Sequence, residues 1–252
     1  MIARPEASGS TRSMTDDTSK DSQLNESAHR RRVRSFVLRM GRATAAQQRA
    51  LTELWPIYGI EFSGNVIDLD ATFVRKAPRM IEIGFGNGEA LAQFARSNPD
   101  IDCLGIEVHR PGVGHLMLEA EASHLQNLRV MSHDAVEVLQ KLPSVSIAFI
   151  HIFFPDPWPK KRHHKRRLIQ PAFVELLARV MSIGGHLRLA TDWEHYALQM
   201  REVIDASTHF TNCAGEKGFV ERAEMRPLTR FERRGQRLGH DVWDLEYQRV
   251  DR

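Results

Sequence analysis

The chain is 252 residues long, with 35 Lys+Arg against 32 Asp+Glu, 42% hydrophobic residues and only 2 Cys, which suits one large α/β domain with appendages. Cys103 and Cys213 can build neither a disulfide framework nor a four-cysteine zinc cluster, so the composition points to a reducing, cytosolic setting. The longest uncharged stretch, residues 142–155, is 14 residues and ends in proline, short of the ~20 apolar residues of a membrane helix, and the N-terminus lacks the apolar run of a signal peptide.

In chain order, residues 1–28 are rich in Ser, Thr, Asp, Glu and Gly, and predict a disordered N-terminal tail that cannot bury enough surface to offset its ordering entropy. The remaining domain, 29–252, opens on a basic extension over 29–55. There arginines alternate with Val33, Phe36, Val37, Leu38, Leu51, Leu54 and Trp55, a pattern expected to pack a few apolar residues onto the body and turn the arginines outward. From residue 80 strands and helices alternate. Residues 80–85 (MIEIGF) read as a buried strand and 89–96 as a helix; 102–108 is a second strand and 113–125, after Pro111, a helix. Residues 128–132 and 146–154 are the third and fourth strands, separated by a short helix over 135–142. The fourth is uncharged and therefore expected to be central. Helices over 173–181 and 194–206 flank a fifth strand at 186–190, and strands at 210–213 and 242–247 enclose a long Arg- and Gly-containing loop. The fold class is a doubly wound, Rossmann-like, mostly parallel α/β sheet with an antiparallel edge.

The net charge of +3 is a sum over unlike parts. The tail carries −2, residues 29–49 carry +7 with no acid, residues 157–170 carry +6 with no acid, and −8 is left for everything else. An acidic body with two concentrated basic segments suits a polyanionic partner held at defined places.

In an open α/β sheet ligands bind outside the carboxyl ends of the strands. Those ends carry Gly84-Phe85-Gly86-Asn87-Gly88 after strand one, Glu107 after strand two, Asp134 after strand three and Asp156 after strand four. Glu107 lies 19 residues beyond Gly88, a spacing suited to a ribose diol, so the set indicates a nucleoside-containing cofactor. Glu89 stands where a dinucleotide fingerprint needs its third glycine, and no P-loop occurs. Glu82, within strand one, would repel a diphosphate and suits a cation, which favours S-adenosylmethionine with its sulfonium and ammonium groups. The competing reading makes Glu82, Glu107 and Asp134 unrelated cap or ion-pair residues.

The ordered motifs E-I-G-F-G-N-G, G-I-E-V-H, H-D-A, F-F-P-D-P-W-P-K, K-R-H-H-K-R-R, A-T-D-W-E, T-R-F-E-R-R-G and L-G-H-D-V-W-D-L, over about residues 30–250, closely resemble the bacterial tRNA (guanine-N7)-methyltransferases, a branch of the class I S-adenosylmethionine-dependent enzymes. The resemblance implies methyl transfer from S-adenosyl-L-methionine to N7 of guanine 46 in the tRNA variable loop. It further implies a cofactor site at Glu82, Gly84, Glu107, Asp134 and Asp156, with Asp156 also catalytic. Lys160, Asp192, Thr229, Arg230, Phe231 and Glu232 match substrate positions, and Arg162, His163, His164, Lys165, Arg166 and Arg167 match the RNA-contacting segment. Arg230 stands where the family often has lysine, which retains the basic residue.

Guanine N7 bears a lone pair and no proton, so its attack on a sulfonium methyl needs alignment and charge placement and no general base. Asp156 could orient the guanine edge or stabilise the positive charge on the methylated ring; its bland reading is a turn residue in Pro155-Asp156-Pro157. Trp158 could stack on a base or pack the loop onto the body. Lys160 to Arg167, six cations in eight residues, read as phosphate contacts rather than a localisation signal, and Arg30, Arg31, Arg32, Arg34 and the arginines of 222–237 as further strips or solvated faces. Asp192 could cap the next helix. No histidine spacing gives metal-ligand geometry, so no metal is expected. The rivals are methyl transfer to another RNA base or an amine, and an RNA-binding module with a vestigial cofactor fold. The sequence leaves monomer and homodimer open.

Overall fold

A computed structural model describes residues 42–215, 218–222 and 241–251. The expectations for the tail, for the arginines of 29–41 and for Thr229, Arg230, Phe231 and Glu232 lie outside the described residues.

Short apolar runs form the parallel strands β1 (Arg79–Ile83), β2 (Asp102–Ile106), β3 (Leu128–Met131), β4 (Ile147–Phe153) and β5 (Met181–Thr191). Among the described residues they make, with β6 (Phe210–Asn212) and β7 (Trp243–Arg249), a seven-stranded sheet in the order β3-β2-β1-β4-β5-β7-β6, β7 antiparallel to both neighbours. The uncharged strand β4 has three strands on each side, the central place its composition predicts. β5 begins five residues before the expected start because Gly184 and Gly185 look like breakers. Here Gly184 adopts φ +81° within an irregular register, Ile147 pairing Met181 and Phe149 pairing His186.

The helices are α1 (Ala45–Arg49), a π-helical turn (Ala50–Leu54), α2 (Trp55–Tyr58), α3 (Leu69–Phe73), α4 (Glu89–Ser97), α5 (Arg110–Ala122), α6 (Ala135–Lys141), α7 (Pro171–Val180) and α8 (Glu194–Asp205). α1 starts on a capping box in which Thr44 and Gln47 satisfy each other's backbone N–H. Ala50, Leu54 and Tyr58 are buried in the cluster that also holds Val113, Leu116 and Met117 of α5, while Arg49 pairs at the surface with Glu53 and Glu121. This part of the basic extension packs as its apolar spacing suggests. α5 starts three residues earlier than expected because Pro111 fits a first helical turn, where no N–H is needed.

Alternate residues of the strands feed two cores. Ile81, Ile83, Leu104, Ile106, Ile150, Ile152, Leu187 and Leu189 meet α6, α7 and α8 on one face; Met80, Cys103, Leu128 and Val130 meet α4 and α5 on the other. Truncating a side chain such as Leu104, 1% exposed, to Ala would cost about 2–5 kcal/mol. Among the described residues no helix is long and apolar enough to cross a membrane.

Candidate active site

The chain leaves β1 for β2 and β3 on one side and returns to β4 on the other, so the sheet order reverses between β1 and β4. The loops after these two strands therefore diverge and open a crevice. The first is the glycine turn, with Gly84, Gly86 and Gly88 at φ +73°, +60° and +83°, and Gly88 directly precedes α4. Gly112, in the first turn of α5, lies so close that a Cβ there would overlap the Gly86 carbonyl oxygen.

Glu107, at the end of β2, holds this turn. Its Oε2 accepts from the Gly86 N–H at 2.9 Å, and Oε1 accepts from Val108 and His109 N–H at 2.7 and 2.9 Å. Glu82 is 3% exposed on the same sheet face, and its buried Oε2 has no hydrogen-bond partner. Burial, reinforced by the charge of Glu107, pushes its pKa up to about 8. A buried polar atom left unpaired costs about 1–3 kcal/mol, which a cation seated beside it would offset, so the acid fits a sulfonium or ammonium group and not a phosphate. Asp134 caps α6, its Oδ1 accepting from the Val136 N–H at 2.8 Å; the cap reading of this residue is therefore satisfied whatever else it does.

The second loop, residues 154–158, starts and ends in the left-handed region, Phe154 at φ +51° and Trp158 at φ +44°. Such backbone costs about 1–3 kcal/mol per residue and persists only where the surroundings hold it. Asp156 is exposed at its middle. The Trp158 indole carries the Arg166 guanidinium 4.9 Å from its centroid and meets the edge of His163 at 5.8 Å, so the packing role of this ring is realised.

The basic run forms a 3₁₀ helix, Lys161–Arg166. Lys160, Lys161, Arg162 and Lys165 are exposed, and His163, His164 and Arg166 half-buried. His163 and His164 are pushed below the usual imidazole pKa by desolvation and then by the surrounding cations, Arg166 and Arg162 for the first and Arg167 for the second. Arg167 departs from the expected role. It is 2% exposed, with Nε donating to the Pro157 carbonyl at 2.8 Å and Nη1 to Gln199 Oε1 at 2.5 Å, and a side chain so enclosed cannot reach an RNA phosphate. Asp192 follows β5 half-buried, and Trp193 rather than Asp192 holds the N-cap position of α8, so the cap reading of Asp192 fails.

A family model described as "Putative methyltransferase" matches residues 76–245. Relatives named tRNA (guanine-N(7)-)-methyltransferase include one from Alcanivorax borkumensis, 53% identical over 87% of this chain and 92% of the relative, and one from Ectopseudomonas mendocina, 49% identical over 93% and 99%. The chain belongs to the tRNA (guanine-N(7)-)-methyltransferase family. Among solved structures, a 16S rRNA methyltransferase, KamB, aligns with a TM-score of 0.54 at 16% identity, covering 74% of this chain and 95% of that one; the likeness is one of fold, class I methyltransferase.

In this tRNA (guanine-N(7)-)-methyltransferase family member, sequence reasoning missed three groups near the crevice. His151 of β4 is 5% exposed and stands beside Glu82 in the strand register. Gly112 is visible in the sequence only as part of Pro111-Gly112. His195, Tyr196 and Gln199 of α8 enclose Arg167, and between α8 and the basic helix lies a cavity of about 370 Å³ that His164, Lys165, His195 and Glu202 help to line. Far from any expected motif, His186, Cys213 and Glu246 bring donor atoms within 4.8 Å of one another at the antiparallel edge, where Arg188 also donates to Glu246 at 3.1 Å.

Proposed function

We propose that this enzyme transfers a methyl group from S-adenosyl-L-methionine to N7 of guanine 46 in the variable loop of tRNA. The observation that carries the cofactor assignment is the buried Glu82 carboxyl, its Oε2 without a hydrogen-bond partner, beneath a glycine turn at the reversal point of the sheet. Relatives about half identical over nearly their full length, all named for guanine N7 of tRNA, support the acceptor.

Glu82, Gly84, Glu107 and Asp134 would hold the cofactor, with Glu107 positioned for a ribose diol and Asp156 reaching it from the other side of the crevice. The cofactor supplies a methyl group on an electron-poor sulfur. Attack by the N7 lone pair would take up that methyl group while the sulfur–carbon bonding electrons left with sulfur, so no residue of this chain would need to act as a general base. Asp156 accepts from the N1–H and N2–H₂ edge of the base, aims N7, and offsets the positive charge left on the ring. Lys160, Asp192 and the segment Thr229 to Glu232 contact the substrate, and Lys161, Arg162, Lys165 and Arg166 the tRNA backbone. The two free cysteines, one buried and one exposed, support a cytoplasmic setting.

The test is incubation of the purified protein with labelled S-adenosylmethionine and unmodified tRNA, followed by aniline cleavage. Label and cleavage at guanine 46 are expected; label on another base or on an exocyclic amine would overturn the assignment.

A further inference from the structure

We infer that Arg167 is a positioning residue, gripping the Pro157 carbonyl from the protein interior to fix the loop that carries Asp156, and contacting no RNA. The inference rests on the reading of Asp156 above.

The loop has few backbone donors of its own. Phe154 and Trp158 sit in left-handed backbone, and Pro155 and Pro157 have no N–H to offer. The Phe154 N–H donates to the Ala190 carbonyl at 2.8 Å, which anchors the start of the loop. The Pro157 carbonyl, one residue past Asp156, receives the Arg167 Nε–H at 2.8 Å. That bond fixes the plane of the peptide between Pro157 and Trp158.

Arg167 is itself held rigidly. Its guanidinium stacks 4.7 Å from the Tyr196 centroid, and Nη1 donates to Gln199 and lies 3.0 Å from His195 Nδ1. The ion pairs among the described residues do not include it. A buried cation without a carboxylate partner is expensive, and an apolar side chain of the same length would pack there at lower cost. Packing alone therefore does not account for arginine at this position; a planar fork that reaches the Pro157 carbonyl and α8 at once does.

The connection also has a direction. His195, Tyr196 and Gln199 lie on the first two turns of α8, which begins just past Asp192. Arg167 thus ties the loop after β4 to the helix after β5, keeping Asp156 and Asp192 in one rigid piece. Arg166, the adjacent residue, lies half-buried over the Trp158 ring.

The test compares Arg167→Met and Arg167→Lys with Arg166→Gln. For both Arg167 variants we expect kcat to fall by about tenfold or more, as small misplacements of reacting groups do, with tRNA affinity within about twofold of wild type and an unchanged salt dependence of binding. Arg166→Gln should instead weaken binding and flatten its salt dependence. Weaker, less salt-sensitive tRNA binding by Arg167→Met would make Arg167 a phosphate contact; unchanged kcat would leave it a packing residue; either result overturns the inference. Should Arg167→Met fail to fold, Gln199→Ala keeps the arginine and removes one acceptor, and must lower kcat at constant tRNA affinity. Asp156→Asn is measured alongside: wild-type turnover in that variant removes the Asp156 reading, whereas an inactive Asp156→Asn beside fully active Arg167→Met and Gln199→Ala removes only the inference about Arg167.

Discussion

Glu82 on β1 and His151 on β4 stand side by side in the parallel register, and burial drives both toward their neutral forms. Glu82 is pushed up to about 8; His151 is pushed down to about 3 by burial and then by Arg188. Each keeps a buried atom without a hydrogen-bond partner, Oε2 and Nε2. A protonated histidine in that place would satisfy the acid and close the site to a cationic ligand. The neutral ring, set edge-on to Phe94 at 5.4 Å, does not compete with a cationic ligand for the carboxyl.

Cofactor affinity is therefore expected to rise with pH. The ligand favours the carboxylate, and the free protein holds the proton up to about pH 8, so binding at pH 7 releases a proton. Affinity climbs toward pH 8 by up to about tenfold per unit, then levels off. Calorimetry with S-adenosylmethionine in two buffers of different ionisation enthalpy measures the released proton, and Glu82→Gln should abolish both the release and the slope. In the free protein the sign is opposite: the folded state binds this proton more tightly than the unfolded chain, so stability from Glu82 declines as pH rises from 4.5 to about 8.

Asp156→Ala should lower kcat by about 10²–10³ with little change in melting temperature, because the residue is exposed and surface substitutions stay within about 0.5 kcal/mol. Single-turnover methyl transfer and thermal melting check the two halves of this expectation. Full turnover in the variant would remove Asp156 from the reaction.

Binding of tRNA should weaken steeply with salt as phosphate counterions are released. Replacing Lys161, Arg162 or Lys165, all exposed on the 3₁₀ helix, by Gln should each reduce the slope of log K against log salt by about 1. Filter binding across a salt series measures it, and a slope that none of the three changes would move the RNA elsewhere on the surface.

Gly112→Ala should damage the proposed cofactor site from the outside. Its Cβ would meet backbone, the Gly86 carbonyl, so either the glycine turn or the start of α5 must shift. A stability loss of about 1–3 kcal/mol is expected, together with weaker S-adenosylmethionine binding; a denaturant midpoint and a cofactor titration report the two. Unchanged cofactor affinity would show that the turn does not need α5 behind it.

Most of the frame was legible because strand and helix units announce themselves by apolar runs, and the glycine turn and Glu107 by spacing. The side-chain directions were not. A run such as Lys160 to Arg167 looks uniformly cationic, yet the three-residue period of a 3₁₀ helix puts His164 and Arg167 on one side, against His195 and Gln199 of α8. His151 lies in a nearly continuous apolar strand with no alternation to say which face it takes; only pairing with Glu82 decides that. The start of β5 was hidden because glycines that look like a stop instead make an irregular strand entry.

The central place of β4 has a kinetic consequence. With three strands on either side, its amides and those of β1 should exchange with solvent only when the sheet as a whole opens, while the outer strands β3 and β6 open first. The loop bearing Asp156 is mounted on that slowest-opening segment, so partial fraying under heat or mild denaturant reaches this loop last.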